Sequence, residues 1–410
     1  MVSDLNLQAM QRPNTVDVTA WRATLAGFCA SLVGIGIARF AYTPLLPAII
    51  GAHWFSESDA TYLGAANLAG YLGGALLARS AVKVAPADMT IRAMMVLATV
   101  AIFACAWPVC FLWFFIWRFA SGLAGGMLMV IAAPSVLLHV PPSRRGIAGG
   151  VIFMGIGAGV AASGTLIPLL LRHGLTQAWL GLGAVSLSLT LIAWRGWPSD
   201  GGSPVPRHVP RTRHRRAALR ALYVEYALNA VGLVPHMIFL VDFVARGLGM
   251  GLQAGAECWV LFGFGAVFGP LLTGHLADRT GFGPALRLAL FIEAAAVALP
   301  ALGLGTSWLM ISSVVVGAFT PGIVPLVLGR IHELLLHHPA EQKAAWGTAT
   351  TSFAVFQAIA AYAMSFLFAN SRGNYQLLFV TGAAALALAL AVELVVGATA
   401  RTNRGDESAR

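Results

Sequence analysis

Arg39, Tyr42 and Thr43 stand in the run Gly34-Ile-Gly-Ile-Ala-Arg39-Phe-Ala-Tyr-Thr-Pro-Leu-Leu-Pro47, whose other residues are apolar or small. A guanidinium at mid-bilayer depth costs several kcal/mol unless it faces protein or water. Helical spacing puts Tyr42 and Thr43 on the face of Arg39, and Pro44 and Pro47 withdraw two backbone donors just beyond it, inviting a bend. A bent helix with a buried cation is expected to bind a ligand. The same residues also fit a plainer role, in which Arg39 ties neighbouring helices through their carbonyls.

A second cation, Arg118, precedes Ser121, Gly122 and Gly125 in another apolar run. An arginine there binds a carboxylate, tunes a proton-carrying group, or braces helices. No carboxylate of the first half reaches mid-depth, since Asp59 falls at a rim. Two cations without a counter-ion favour an anionic guest. Asn67 and Gln357 are mid-depth amides able to orient it or to bond helix to helix. Glu225, Asn229, Gly232 and His236, spaced i, i+4, i+7 and i+11, share one helix face beside Pro235. Glu225 and His236 are expected to carry protons, and Asn229 and His236 to touch the solute. In the alternative, Glu225 snorkels to the surface and His236 bonds a carbonyl. No role is assigned to Glu293.

Enzyme chemistry finds little support. His332-Glu333 with His337 and His338 misses H-E-x-x-H by one residue, and no nucleophile elbow or ATP-binding loop occurs. Cys29, Cys105, Cys110 and Cys258 lack metal-ligand or CxxC spacing and read as small core residues. No metal and no cofactor are expected.

Long apolar runs must position these groups. With 58 % apolar and 10 % charged residues and a mean hydropathy of +0.78, the 410-residue chain is expected to be an all-α polytopic membrane protein. Twelve runs are long enough to cross the hydrocarbon: 23–50, 60–82, 88–107, 109–138, 146–171, 175–195, 219–245, 254–277, 284–304, 306–335, 344–369 and 374–399. No cleaved signal peptide is expected. Arginine and lysine collect in alternate connections, among them Lys83, Arg92, Arg144, Arg145 and Arg207 to Arg220. By the positive-inside rule both termini are cytoplasmic, and the net charge of +10 reports topology. Anionic headgroups, not nucleic acid, are the expected partners of the Arg/His run.

The Pro- and Gly-rich stretch 196–218 divides the chain. A tail over 1–22 leads into a six-helix bundle over 23–195, then comes the basic linker, a second six-helix bundle over 219–399 and a tail over 400–410. An offset of 200 lays Leu72, Gly74, Leu76 and Arg79 on Leu272, Gly274, Leu276 and Arg279, and an offset of 198 lays Val33-Gly34 on Val231-Gly232. Such parallel repeats describe one class of secondary transporter. In Gly274-His-Leu-Ala-Asp278-Arg279-Thr-Gly281, Gly274 permits close helix approach and Asp278 can accept bonds from a helix N-terminus. With Arg279 and Gly281 this forms a latch at the inner surface.

The twelve spans, basic central loop and Gly274 to Gly281 pattern resemble the major facilitator superfamily. Within it, the Gly34 to Pro44 run and Ala69-Gly-Tyr-Leu-Gly-Gly-Ala-Leu-Leu resemble the YbfB/YjiJ-type transporters. The first-half latch departs from the family pattern, with Ala78 where Asp is usual. Gly146, Gly155 and Gly159 follow the superfamily's antiporter spacing, except that Val160 replaces a proline. Arg118 and Ser121 resemble its Arg-x-x-Gln-Gly pattern, with Ser121 in the Gln place. The resemblance implies two bundles rocking about a cleft lined by spans one, four, seven and ten. The expected activity is proton-coupled uptake of a small anionic or amphoteric solute by a monomer in a bacterial inner membrane. Proton-driven efflux of an apolar or cationic compound is the nearest alternative, and a non-transporting receptor or scaffold the alternative from another class.

Overall fold

The computed structural model describes residues 13–198 and 213–408, except 337 and 372. The first twelve residues and positions 199–212 of the basic linker lie outside the described residues, as do the side chains of Asp242 and Arg246.

Twelve helices follow one another among the described residues. The first, α1, runs through Pro13–Ser31, a π-wound Leu32–Phe40 and Tyr42–Gly51. Then come α2 (Glu57–Val84), α3 (Ala87–Ala104), α4 (Phe111–Leu137), α5 (Arg145–Leu171) and α6 (Leu175–Ala193). The second half begins with α7, whose Arg213–Val234 passes into π-wound Pro235–Phe239, a short turn and a second π-wound stretch, Phe243–Gly247. It continues through α8 (Gly251–Thr280), α9 (Phe282–Ala298), α10 (Thr306–Leu334), α11 (Pro339–Asn370) and α12 (Tyr375–Ser408). Eleven are long and apolar enough to span a membrane among the described residues. The twelfth, α2, is more polar, carrying Asn67, two tyrosines and several glycines along its 28 residues.

Local chemistry fixes the ends. Ser56 Oγ caps α2 by accepting from Asp59 N at 3.1 Å. Gly281, at φ +86°, turns the chain from α8 into α9, a conformation that glycine adopts without penalty. The helices overrun the expected boundaries: α1 begins inside the tail 1–22, α7 inside the linker 196–218, and α12 runs to Ser408. Alanine and arginine at those ends favour helix, so it does not stop where hydropathy falls.

The halves repeat each other with an offset that differs from the sequence match. Gly70, Gly74 and Gly122 let α2 and α4 approach until a Cβ would strike the carbonyls of Phe119, Leu123 and Asn67. Gly265, Gly269 and Gly317, each 195 positions later, do the same between α8 and α10, against Val314, Ala318 and Phe262. The offset of 200 therefore pairs residues with different work. Gly74 seats against α4 of its own half, whereas Gly274 seats against Gly146 and Gly150 of α5, across the molecule. The bundles meet where α5 packs on α8 and where α2 packs on α11.

Candidate functional site

Between the bundles lies a cavity of about 180 Å³ lined by Arg39, Tyr42, Thr43, Asn67, Arg118 and Gln357. The second half also contributes Met237 and Ile238 of α7 and Trp259 of α8. The walls therefore come from α1, α2, α4, α7, α8 and α11. The expectation that span ten lines the cleft is not met, because α10 sits behind α8, with Gly317 against the backbone of Phe262.

The π-wound stretch of α1 positions both cations. Wider winding breaks the usual i to i+4 ladder and leaves carbonyls short of partners. The Ala38 carbonyl accepts Arg118 Nη1 at 2.7 Å and Asn67 Nδ2 at 3.5 Å. Arg118 Nε donates to the Leu63 carbonyl at 3.4 Å, and its guanidinium carbon lies 4.2 Å from the Tyr42 ring centroid. Tyr42 in turn donates to the Ala60 carbonyl at 2.7 Å, and Asn67 donates to Ser121 Oγ at 2.9 Å. Arg118, 3 % exposed, is thus the clamp of α1, α2 and α4.

Arg39 is differently placed. It is partly exposed, lies beside the rings of Phe40 and Tyr71 at 5.4 and 5.9 Å, and donates from Nη2 to Gln357 Oε1 at 2.9 Å. That bond crosses from one bundle to the other. Gln357 completes the bridge by donating to Met237 Sδ at 3.4 Å. Among the described residues no carboxylate forms an ion pair with Arg39 or Arg118.

The polar stripe of α7 shares one face, as its spacing requires, but that face turns into the C-terminal bundle. Asn229 Nδ2 donates to Glu293 Oε2 of α9 at 2.7 Å, and His236 Nε2 lies 2.8 Å from Ser312 Oγ of α10. Glu225 stands by Glu393 of α12, which is 3.8 Å from Arg287. All three stripe residues are buried, and none lines the cavity. Asn229 and His236, expected to contact the solute, stand away from this cavity. Spacing along α7 defines a face and not its direction, and the apolar Val234, Met237 and Ile238 are what α7 offers the cavity.

The cavity is shut towards the face that carries the basic connections. Asp278 accepts from Gly146 N at 2.8 Å and Ile147 N at 2.9 Å, at the N-terminus of α5. Gly274 allows this approach, Gly281 ends the helix, and Arg279 is exposed at the turn. At the other seam Arg79 donates to the Ala344 carbonyl and to Thr348 Oγ1 of α11. Between the seams Trp346 donates to the Met129 carbonyl at 2.8 Å and stacks on Tyr226. Exposed Thr43 and Ile238 mark the open end, towards the opposite face.

Trp259 and Tyr71 escape sequence reasoning. Trp259 lines the cavity and stacks on Phe262 at 5.0 Å, while Tyr71 lies under Arg39. An aromatic residue in an apolar span carries no periodic signal that separates cavity wall from lipid face. His332 is buried, and no group of three metal-ligating side chains lies together among the described residues. Glu333 instead accepts from Phe282 N at 2.9 Å.

A family model described as "Uncharacterised MFS-type transporter YbfB" matches residues 31–394. No curated protein sequence matches significantly. The chain is similar in structure to the human organic anion transporter MFSD10 (TETRAN), with a TM-score of 0.74, 16 % identity, and coverage of 91 % of this chain and 99 % of that one. It is similar to the transporter FucP in the outward conformation, with a TM-score of 0.70, 16 % identity and coverage of 91 % and 98 %. A bacterial homologue of the iron transporter ferroportin, in the outward-facing state, gives 0.67, 16 % identity, and 93 % and 99 %. At such identities the likeness is one of fold.

Proposed function

The chain belongs to the YbfB-type family of major facilitator superfamily transporters, and from that premise we propose that it carries a small organic anion, or an amphoteric metabolite through its carboxylate, by proton-coupled uptake. One observation carries the choice of charge: two guanidiniums border one cavity and neither has a carboxylate partner among the described residues. Arg39 is the group that meets the guest, since it is partly exposed and its hydrogen bond goes to a neutral amide. Arg118 holds the wall and adds its field. Tyr42, Thr43 and Asn67 shape the first-half side, and Gln357 keeps the arginine in place until the solute displaces it.

Alternating access follows from the two seams. With the Asp278 latch bonded and the Trp346 plug in place, the cavity opens to the face opposite the basic connections. If the basic face is cytoplasmic, as lysine and arginine placement favours, this is an outward-open monomer in a bacterial inner membrane. The reverse rocking motion breaks the latch. Glu225 and His236, on the buried face of α7, are the proposed proton carriers. A volume of about 180 Å³ is below the 300–1,000 Å³ usual for drug-sized ligands, which weighs against efflux of bulky compounds.

The test uses purified protein in liposomes under an imposed inward proton gradient, with a panel of labelled organic acids. At least one acid should accumulate, and Arg39→Gln should reduce that accumulation at least about tenfold, the loss of one charge-assisted bond. Accumulation unaffected by Arg39→Gln would refute the assignment.

A further inference from the structure

Behind the cavity wall, inside the C-terminal bundle, α7 and α9 are joined by a pair of side chains that neither the latch nor the cavity uses. Glu293 is 0 % exposed and Asn229 1 %. One oxygen of Glu293 accepts from Asn229 Nδ2 at 2.7 Å. The remaining oxygen of each group, Glu293 Oε1 and Asn229 Oδ1, is buried with no hydrogen-bond partner among the described residues.

Those two bare atoms are both acceptors when the carboxylate is ionised. A proton on Glu293 Oε1 turns one of them into a donor, and the complementary acceptor sits on the same planar amide. Carboxylic acid and primary amide then close a ring of two antiparallel hydrogen bonds. Exchanging the oxygen and nitrogen of Asn229 leads to the same need, because the 2.7 Å contact would then join two acceptors. In an apolar bundle a bare charged oxygen has no compensation.

The charges around the pair lie at a distance. Asn229 is the electrostatic partner of Glu293 among the described residues. The helices packed on α9 are α7, α8, α10 and α12. Towards the basic face they carry Glu225, Asp278, Arg330 and Glu393, and α9 itself carries Arg287. In the other direction His236 meets Ser312, which donates to the Ala296 carbonyl at 2.7 Å. Its Nε2 therefore donates, and its Nδ1 is a bare acceptor.

We propose that Glu293 binds the coupled proton as a neutral acid paired with Asn229. On release the proton leaves Oε1 for water admitted when the bundles rock, and Glu225, four residues or about 6 Å of helix nearer the basic face than Asn229, marks the way out. The ring opens, Glu293 keeps the negative charge, and α7 is held to α9 by the Asn229 Nδ2 bond alone. Because α7 also lines the cavity through Met237 and Ile238, within its first π-wound turns, the change reaches the solute.

This rests on the proton-coupled reading, and two measurements separate them. Infrared spectra of the full-length protein in liposomes at neutral pH should show a protonated carboxylic acid band that disappears in Glu293→Gln and shifts in Asn229→Leu. Under an inward proton gradient Glu293→Gln should lose accumulation at least tenfold while still exchanging labelled solute. An acid band indifferent to both substitutions overturns the proposal, as does full accumulation by Glu293→Gln. Should Glu293→Gln not assemble, the band in Asn229→Leu decides. A wild type that shows the Glu293 band but exchanges solute without accumulating it refutes proton-coupled uptake and the coupling role, and leaves the bound proton standing.

Discussion

Replacing Gln357 with glutamate puts a carboxylate oxygen where the amide now accepts Arg39 Nη2 at 2.9 Å, and so builds a resident competitor for the solute. Two unit charges 4 Å apart attract by about 4 kcal/mol at an effective dielectric of 20. Arg39 is partly exposed, and halving that figure for screening leaves about 2 kcal/mol. An incoming anion must displace this internal pair, so its apparent dissociation constant should rise roughly thirtyfold. Gln357→Leu, which removes the placeholder without adding charge, should leave affinity unchanged or improve it a few-fold, by about 1 kcal/mol. Both follow from thermal-shift titration of the detergent-purified protein with the transported acid, since a ligand raises stability by mass action. Equal weakening in the two variants would refute the placeholder role and make Gln357 a direct contact to the solute.

Arg118→Gln removes the donors to the Leu63 and Ala38 carbonyls and should destabilise the fold by about 2–4 kcal/mol, read as a lower Tm. Arg118→Lys should not restore it, because a single ammonium cannot reproduce the planar fork. In Asp278→Asn the α5 N-terminus keeps one of two acceptor oxygens and loses the charge, worth about 1–2 kcal/mol. Spin labels on the connections before α5 and after α8 should report a longer distance, and an unchanged distribution would show that other contacts close this face. Gly70→Ala drives a Cβ into the Phe119 carbonyl, forcing α2 from α4 at about 1–3 kcal/mol, visible in yield and Tm.

Much of this was legible in the residues. Twelve apolar runs anticipate the twelve helices described, and a cation in the first span anticipates a cavity that Arg39 borders. The Gly274 to Gly281 pattern anticipates a bonded seam, and Asp278 meets the α5 N-terminus there. What hydropathy could not supply was direction. The α7 stripe has a helical period whichever way it faces, and only packing against α9, α10 and α12 decides that Asn229 and His236 look inward. Register was hidden for a similar reason. Side-chain identity favours an offset of 200, while the close contacts of Gly70, Gly74 and Gly122 obey 195. Glu293 stood out as a carboxylate within an apolar span, but its partner lies 64 positions away and spacing along one helix could not name it.

The widened turns of α1 have a consequence for mutation by deletion. A π-wound segment accommodates a residue more than the regular coil would hold, so Leu32–Phe40 works as a phase shifter between the ends of one rod. Excising a single residue there would let the rod relax to ordinary pitch. Everything downstream would keep its face, and the widened turns would close into the regular i to i+4 ladder. The Ala38 carbonyl would find its partner within the helix, and Arg118 Nη1 and Asn67 Nδ2 would lose the acceptor they share. Span length and greasiness would hardly change, and the chain would still insert. Transport would be silenced by one missing residue that a hydropathy plot could not notice.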